Sequence, residues 1–352
     1  MLMKIHSYIA TNGECSIKLG DLKQLEAIYG DIKKNDTELP DDVALEDSDT
    51  SEEDLQSRHK ASAIAAAILL KDHLTHPHPR TTKDTKAKGE EEAKDTTLVV
   101  TPQMLADEIR ELRNELTTST GELWPANVTV WNFMDYLLVP TLIYELQYPR
   151  TEKIRLAYVF EKAVATLGTF TLLYLTTEHY IYPVIFDESV SPLRALVMLL
   201  IPFMMNYLMI FYIIFECICN AFAELSCFAD RNFYEDWWNC ETFDEWARKW
   251  NKPVHNFLLR HVYASGIESW HLSKSNAALL TFFLSSCVHE LVMMVVTRKV
   301  RMYLFFLQMF QLPLIWVGNS KIIRSQPRLA NAFFWMGMFC GPPLLGVAYC
   351  YA

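Results

Sequence analysis

Between Leu193 and Ile218 the chain runs for ~25 residues almost without charge, which as a helix is enough to cross a hydrocarbon core ~30 Å thick. Backbone at that depth must satisfy its own N–H and C=O groups, so a run like this folds as helix or not at all. Comparable runs follow at Leu156–Phe186, apolar at its centre between Ala163 and Leu175, and at Ala277–Val296, Met302–Val317 and Leu329–Ala352. Trp131–Tyr148 is also apolar but contains Asp135, Pro140 and Glu145, and reads as a broken or re-entrant segment rather than a clean span. The pattern predicts an all-α polytopic membrane protein with five or six membrane helices. Arg298, Lys299 and Arg301 precede the Met302–Val317 run and Lys321, Arg324 and Arg328 follow it, so basic flanks do not set its orientation.

Charge divides the chain differently. Residues before 126 carry 15 Lys+Arg against 25 Asp+Glu, and the remainder carries 17 of each, so the whole net charge of −10 lies in the first third. Two regions are therefore expected: 1–124, polar and partly disordered, and 125–352, embedded in the membrane. An acidic chain without a basic patch is not built for nucleic acid, and the partner it predicts is lipid. The eight cysteines show no paired metal spacing and mostly sit in apolar runs, where they read as reduced fillers.

Within the first region, Met1–Ile9 resembles the last turns of a helix. Asp41–Asp54, dense in Asp, Glu, Ser and Thr, cannot bury a core and reads as a solvated linker, with Ser48, Thr50 and Ser51 as phosphorylation candidates. His73, His76 and His78 alternate with prolines that keep a helix from presenting them together, which argues against a metal site. Pro102–Leu116 has helical spacing, with Leu105, Ile109, Leu112 and Leu116 on one face expected to lie against the membrane domain or its surface. Asn127-Val128-Thr129 matches a glycosylation acceptor but reads as an unmodified turn.

The polar interval Asp230–Ser275 is richer in tryptophan than a plain bundle needs. Phe233–Asn239 reads FYEDWWN, and Thr242 with Glu245 forms a capping box that predicts a helix to about Asn251, ended by Pro253. Phe243, Trp246 and Trp250 share one face of that helix, while Arg248 and Lys249 project elsewhere. Two readings stay open: an interfacial anchor, or a headgroup-level helix whose basic residues hold the phosphates of a water-soluble cofactor. Further on, His289 and Glu290 interrupt Ala277–Val296. Ionisable groups at membrane depth normally mark an active site, although an interhelical hydrogen bond that locks packing is the alternative. Neighbours on a helix point about 100° apart, so His289 and Glu290 do not share one cavity, whereas Ser285 and Ser286 lie one turn from the imidazole. A buried imidazole stays neutral and suits proton acceptance. No Ser or Cys nucleophile motif accompanies it, which favours direct transfer over a covalent intermediate.

FAELSCFADRNFYEDWWN, WNKPVHNFLLRHVY, TFFLSSCVHELVM and DYLLVPTLIYELQYPRT together resemble the sterol O-acyltransferase branch of the membrane-bound O-acyltransferases, the fungal members most of all, across most of Leu123–Ala352. FYEDWWN alone would also admit the related diacylglycerol acyltransferases. HELVM after the histidine is what resembles the sterol branch. The resemblance implies a helical membrane bundle around a reaction chamber, in the endoplasmic reticulum membrane, and a homodimer or larger assembly. It implies acyl-CoA as co-substrate, a membrane sterol as acceptor, and no permanently bound cofactor or metal. By position it makes His289 and Asn251 catalytic, and assigns Phe233, Tyr234, Asp236, Trp237, Trp238, Asn239, Arg248, Trp250, Tyr263 and Ser285 to acyl-CoA. Against that pattern Met1–Gly13 reads as a start in mid-fold, so the chain is expected to be N-terminally short. The rivals are a diacylglycerol acyltransferase and a non-catalytic lipid-binding remnant.

Overall fold

A computed structural model describes residues 1–37 and 102–351; Asp41–Asp54 with its Ser48, Thr50 and Ser51, and His73, His76 and His78, lie outside them. The described residues are helical apart from connecting segments and two isolated bridges, Thr117 with Leu123 and Arg150 with Phe228. They divide into two compact units, one built from Tyr8–Phe133 and Tyr144–Gln147, the other from Met1–Ser7, Met134–Ile143 and Tyr148–Ala352.

The smaller unit is organised by α1 (Leu2–Thr37) from Tyr8 onward and by α2 (Pro102–Glu115). Leu105, Leu112 and Leu116 are buried as the helical spacing predicts, packed with Cys15, Leu22 and Leu25 of α1 and with Leu146. Lys18 pairs with Glu115 at 2.8 Å along that contact. The expectation of a few last turns at Met1–Ile9 is corrected by a helix of 36 residues. Its buried stripe opens with Ser7 and Thr11, small hydroxyl residues that an apolar count passes over. Asn127 is buried and donates to the Tyr144 hydroxyl at 3.2 Å, and that hydroxyl donates to Asn132 at 2.8 Å. Burial, with Tyr8 close by, pushes the Tyr144 phenol up to about 12.

In the larger unit, four helices among the described residues are long and apolar enough to cross a membrane: α4 (Leu156–Ile185), α5 (Pro192–Leu225), α8 (Lys274–Thr297) and, after the single turn α11 (Lys321–Arg324), α12 (Pro327–Tyr351), of which Pro327–Tyr349 qualifies. This corrects the expected five or six. Tyr303–Gly318 is two short helices, α9 (Tyr303–Met309) and α10 (Gln311–Gly318), and extends only about 24 Å, short of the core thickness. Before α4, the short α3 (Val130–Leu138) is followed by non-helical backbone, in keeping with a broken segment. Lys4 Nζ donates to the Tyr136, Leu137 and Val139 carbonyls at 2.8, 2.9 and 2.5 Å, satisfying acceptors that the helix end leaves open. Several hydroxyls and one amide of the spans find acceptors within the protein. Thr166, Thr171, Thr176 and Thr177 return their hydroxyls to carbonyls four residues back, and Asn206 of α5 donates to Thr177 Oγ1 at 2.8 Å. Both α4 and α5 contain a π-helical turn, Thr177–Ile181 and Tyr212–Ile218. α5 and α12 pack closely, for a Cβ on Gly346 would lie 2.4 Å from the Phe203 ring.

Candidate active site

The Trp-rich interval folds onto α5 as an aromatic shelf. Phe233, Trp237 and Phe243 are buried with Phe211 and Phe215 of α5 and Phe334 of α12. Trp250 stacks on Tyr207 at 4.8 Å and meets Trp237 edge-on at 4.8 Å. FYEDWWN has no regular structure until Trp237–Asn239 closes a 3-10 turn. Its backbone is fastened on both sides: Glu235 N–H donates to the Lys249 carbonyl at 2.9 Å, and Lys252 N–H donates to the Phe233 carbonyl at 3.0 Å.

α6 (Phe243–Lys249) begins with the predicted capping box, although its two halves are offset. Glu245 N–H donates to Thr242 Oγ1 at 3.4 Å, and the Glu245 carboxylate accepts from Glu241 N–H at 3.0 Å. The helix ends sooner than expected, and Pro253 starts the next one rather than ending this one. Asn251 caps α7 (Lys252–Leu258), its Oδ1 accepting from Val254 N–H at 3.2 Å, and Pro253 sits in the first turn, where no N–H is missed. The cap fixes the amide and leaves the Asn251 NH2 without a protein acceptor among the described residues. Phe243, Trp246 and Trp250 do form one face, but it turns into the core instead of anchoring in lipid. The Phe243 ring lies where a Cβ on Gly337 of α12 would stand, 2.6 Å away.

The charges around the shelf are largely spent on one another. Lys249 reaches Asp236 and Glu245, both at 2.9 Å, and Arg248 reaches Asp244 at 2.9 Å. The Asp236 and Glu245 hydrogen bonds hold the Lys249 ammonium well above its usual range, and Lys249 holds the Asp236 carboxyl below its own. Tyr234 donates to Glu216 in the π turn of α5, and burial together with that carboxylate pushes its phenol up to about 12. Burial likewise lifts the Cys240 thiol to about 12, the state of an unreactive filler. Two indole donors, Trp237 Nε1 and Trp246 Nε1, are buried without a protein acceptor among the described residues.

Several supporting residues were missed at the sequence level. Asn331 of α12 donates to the Trp238 and Cys240 carbonyls at 3.0 and 2.9 Å, and Trp335 Nε1 donates to Trp238 at 3.0 Å. Glu224, buried at the end of α5, accepts from Arg155 at 2.9 Å and Arg231 at 2.5 Å, tying the approach to FYEDWWN onto α5. The available signal was a carboxylate or amide inside an apolar helix, which only His289 and Glu290 were given.

His289 and Ser285 stand on α8, apart from the shelf's own hydrogen bonds. The helix turns Glu290 inward and leaves the imidazole on an exposed face, so the buried ring expected from the sequence is corrected for the described residues. Its Nδ1 lies 2.7 Å from the Ser285 carbonyl and 3.4 Å from Ser285 Oγ. A carbonyl only accepts, so Nδ1 carries a hydrogen, and in the neutral ring Nε2 is the nitrogen that can take a proton. α7 continues through the π turn Leu259–Ala264, which contains Tyr263 and packs along α8. Asn251 thus caps the helical segment whose π turn packs against α8, the separate helix that carries His289.

Against known proteins, residues 123–351 match the model of MBOAT, the membrane-bound O-acyltransferase family. Sterol O-acyltransferase 2 of Saccharomyces cerevisiae is 41% identical over 253 residues, covering 68% of this chain and 39% of the relative. Probable sterol O-acyltransferase 2 of Schizosaccharomyces pombe is 42% identical over 245 residues, 65% of this chain and 52% of its own length. Diacylglycerol O-acyltransferase 1 of Dictyostelium discoideum is 32% identical over 236 residues, 64% of this chain and 38% of its own. The chain therefore spans roughly two fifths to one half of the length of these relatives. A match across some two thirds of the sequence, on a set of apolar helices bearing the FYEDWWN shelf, makes this chain a member of the membrane-bound O-acyltransferase family.

Proposed function

We propose that the protein transfers a long-chain fatty acyl group from acyl-CoA to the 3-hydroxyl of a membrane sterol, making a storage ester in the endoplasmic reticulum membrane as part of a homo-oligomer. The observation that carries acyl transfer is the His289 tautomer, with Nδ1–H held by Ser285 and Nε2 open. Sterol as the acceptor is supported by identities of 41% and 42% to fungal sterol O-acyltransferases against 32% to the diacylglycerol enzyme.

In this reading the sterol hydroxyl gives its proton to His289 Nε2 as its oxygen bonds to the thioester carbon. The carbon–sulfur bond breaks, and the imidazolium returns the proton to the departing thiolate, so coenzyme A leaves as a thiol. The Asn251 NH2, held by its capping oxygen, donates to the thioester oxygen as charge builds there. Phe233, Tyr234, Asp236, Trp237, Trp238, Asn239, Trp250 and Tyr263 make the acyl-CoA side, with the buried Trp237 and Trp246 donors taking acceptors of the cofactor and Arg248 meeting its nucleotide end. A positioned base supplies about 10²–10⁴ in rate, roughly 3–5 kcal/mol, and the remainder comes from holding two lipids in register.

The test is ester synthesis from labelled oleoyl-CoA by membranes carrying the protein, with sterol and diacylglycerol offered in parallel. Sterol ester should form and should vanish with His289→Ala while the protein stays in the membrane. Turnover retained by His289→Ala refutes the assignment, product only from diacylglycerol changes the acceptor, and acyl-CoA binding without either ester points to a lipid-binding role.

A further inference from the structure

Glu290 follows the candidate base in sequence but takes the inward side of α8, only 5% exposed. A carboxylate in a membrane-length apolar helix persists where donors meet it, and here three do. Met302 N–H reaches Oε1 at 2.8 Å, Phe305 N–H reaches Oε2 at 3.1 Å, and the Tyr349 hydroxyl lies 3.2 and 3.1 Å from the two oxygens. The turn thus held is unusual: Arg298, which closes α8, and Met302, which opens α9, both lie in the left-handed region at φ +56° and +60°. Such residues without glycine persist when their surroundings over-determine them. Tyr349 is itself secured, its carbonyl accepting from Arg301 at 2.5 Å. One carboxylate therefore joins α8, the first turn of α9 and the end of α12.

We infer that Glu290 is a positioning residue for His289: by clamping one side of α8 it sets the rotation of the helix about its axis, and hence where the imidazole a residue earlier, about 100° away, is presented. It does not touch the reactants. The kinetic part of this inference rests on the acyl-transfer reading; the geometric part does not.

The experiment compares wild type, Glu290→Gln, Glu290→Asp and Tyr349→Phe in native membranes, reading two quantities. The first is the rate at which diethylpyrocarbonate modifies His289, measured by mass spectrometry relative to exposed His271. Glu290→Gln, which puts an amide donor against backbone donors, should change the His289 rate and leave His271 alone, and Tyr349→Phe should shift it less in the same sense. The second is a split in kinetics: kcat falls roughly 10- to 100-fold, the scale of a misplacement near 1 Å, with the acyl-CoA KM unchanged. Glu290→Asp should recover part of the loss, and Glu290→Gln should cost nothing further in a His289→Ala background. An unchanged His289 rate in Glu290→Gln, or equal changes at both histidines, overturns the inference. If Glu290→Gln fails to fold, an unchanged rate in Tyr349→Phe does the same. A selective change at His289 in a protein that makes no ester sinks the functional reading and leaves the positioning role standing.

Discussion

Asn331 donates from one amide nitrogen to two carbonyls of the FYEDWWN turn, those of Trp238 and Cys240, 93 and 91 residues away in sequence. Asn331→Ala removes both bonds and leaves the Cys240 carbonyl without that donor, at a cost of about 1–3 kcal/mol. The expected outcome is a raised acyl-CoA KM with kcat nearly kept, measured by ester synthesis at varied oleoyl-CoA; an unchanged KM would show that the turn is held without it. Asn251 allows a finer cut. Asn251→Asp keeps an oxygen for Val254 N–H but loses the NH2, so turnover should fall while the melting temperature holds. Asn251→Ala should in addition lose a cap worth about 0.5–2 kcal/mol. Equal turnover in Asn251→Asp and wild type would confine this residue to capping. The polarity of these side chains was visible in the sequence, but their azimuth was not: an isolated HE pair says that one residue faces in, and only the packing of α8 shows that it is Glu290.

At the level of elements, α6 is set against α12 by Phe243, whose ring occupies the space that a side chain at Gly337 would need. Gly337→Ala should destabilise by about 1–3 kcal/mol through overpacking, read as a lower melting temperature in detergent. The Lys249 tie between α6 and the FYEDWWN turn has a defined pH window. Asp236 is depressed when folded, so its contribution is present above the ordinary aspartate value, near 3.9, and is lost as pH falls through its lower folded value. Lys249 is raised when folded, so its contribution is complete below the ordinary lysine value, near 10.4, and is lost above its higher folded one. In a His255→Asn background, which removes the neighbouring imidazole that burial holds below its ordinary value, tryptophan fluorescence from the shelf should therefore stay flat from about pH 5 to pH 9, and a transition inside that interval would contradict the pairing. The long spans were legible because ~20 apolar residues leave one solution. α1 was not, because its stripe mixes Ser7 and Thr11 with Cys15 and Leu22, and Pro253 was misread because proline ends one helix and begins another equally well.

For the whole molecule, membership of a membrane-bound family and four helices of spanning length make the chain a multi-pass membrane protein. It should remain in the membrane pellet after alkaline carbonate extraction, and release into the supernatant would contradict that topology. The last third of its helical architecture depends on where α5 delivers the chain. The widened turn at Tyr212–Ile218 fits more residues into one loop than the helix on either side, and Glu216 stands within it. Excising one residue there would let ordinary helix close through the gap, and the helix beyond would keep its face, because the shorter turn still completes one revolution. Glu224 would keep both arginines, and the change would fall inside the turn, on the Glu216 that accepts from Tyr234. The widened turn thus acts as slack in the chain: one residue can be lost inside it while the salt bridges beyond stay where they are, and the same loss elsewhere in α5 would not be forgiven.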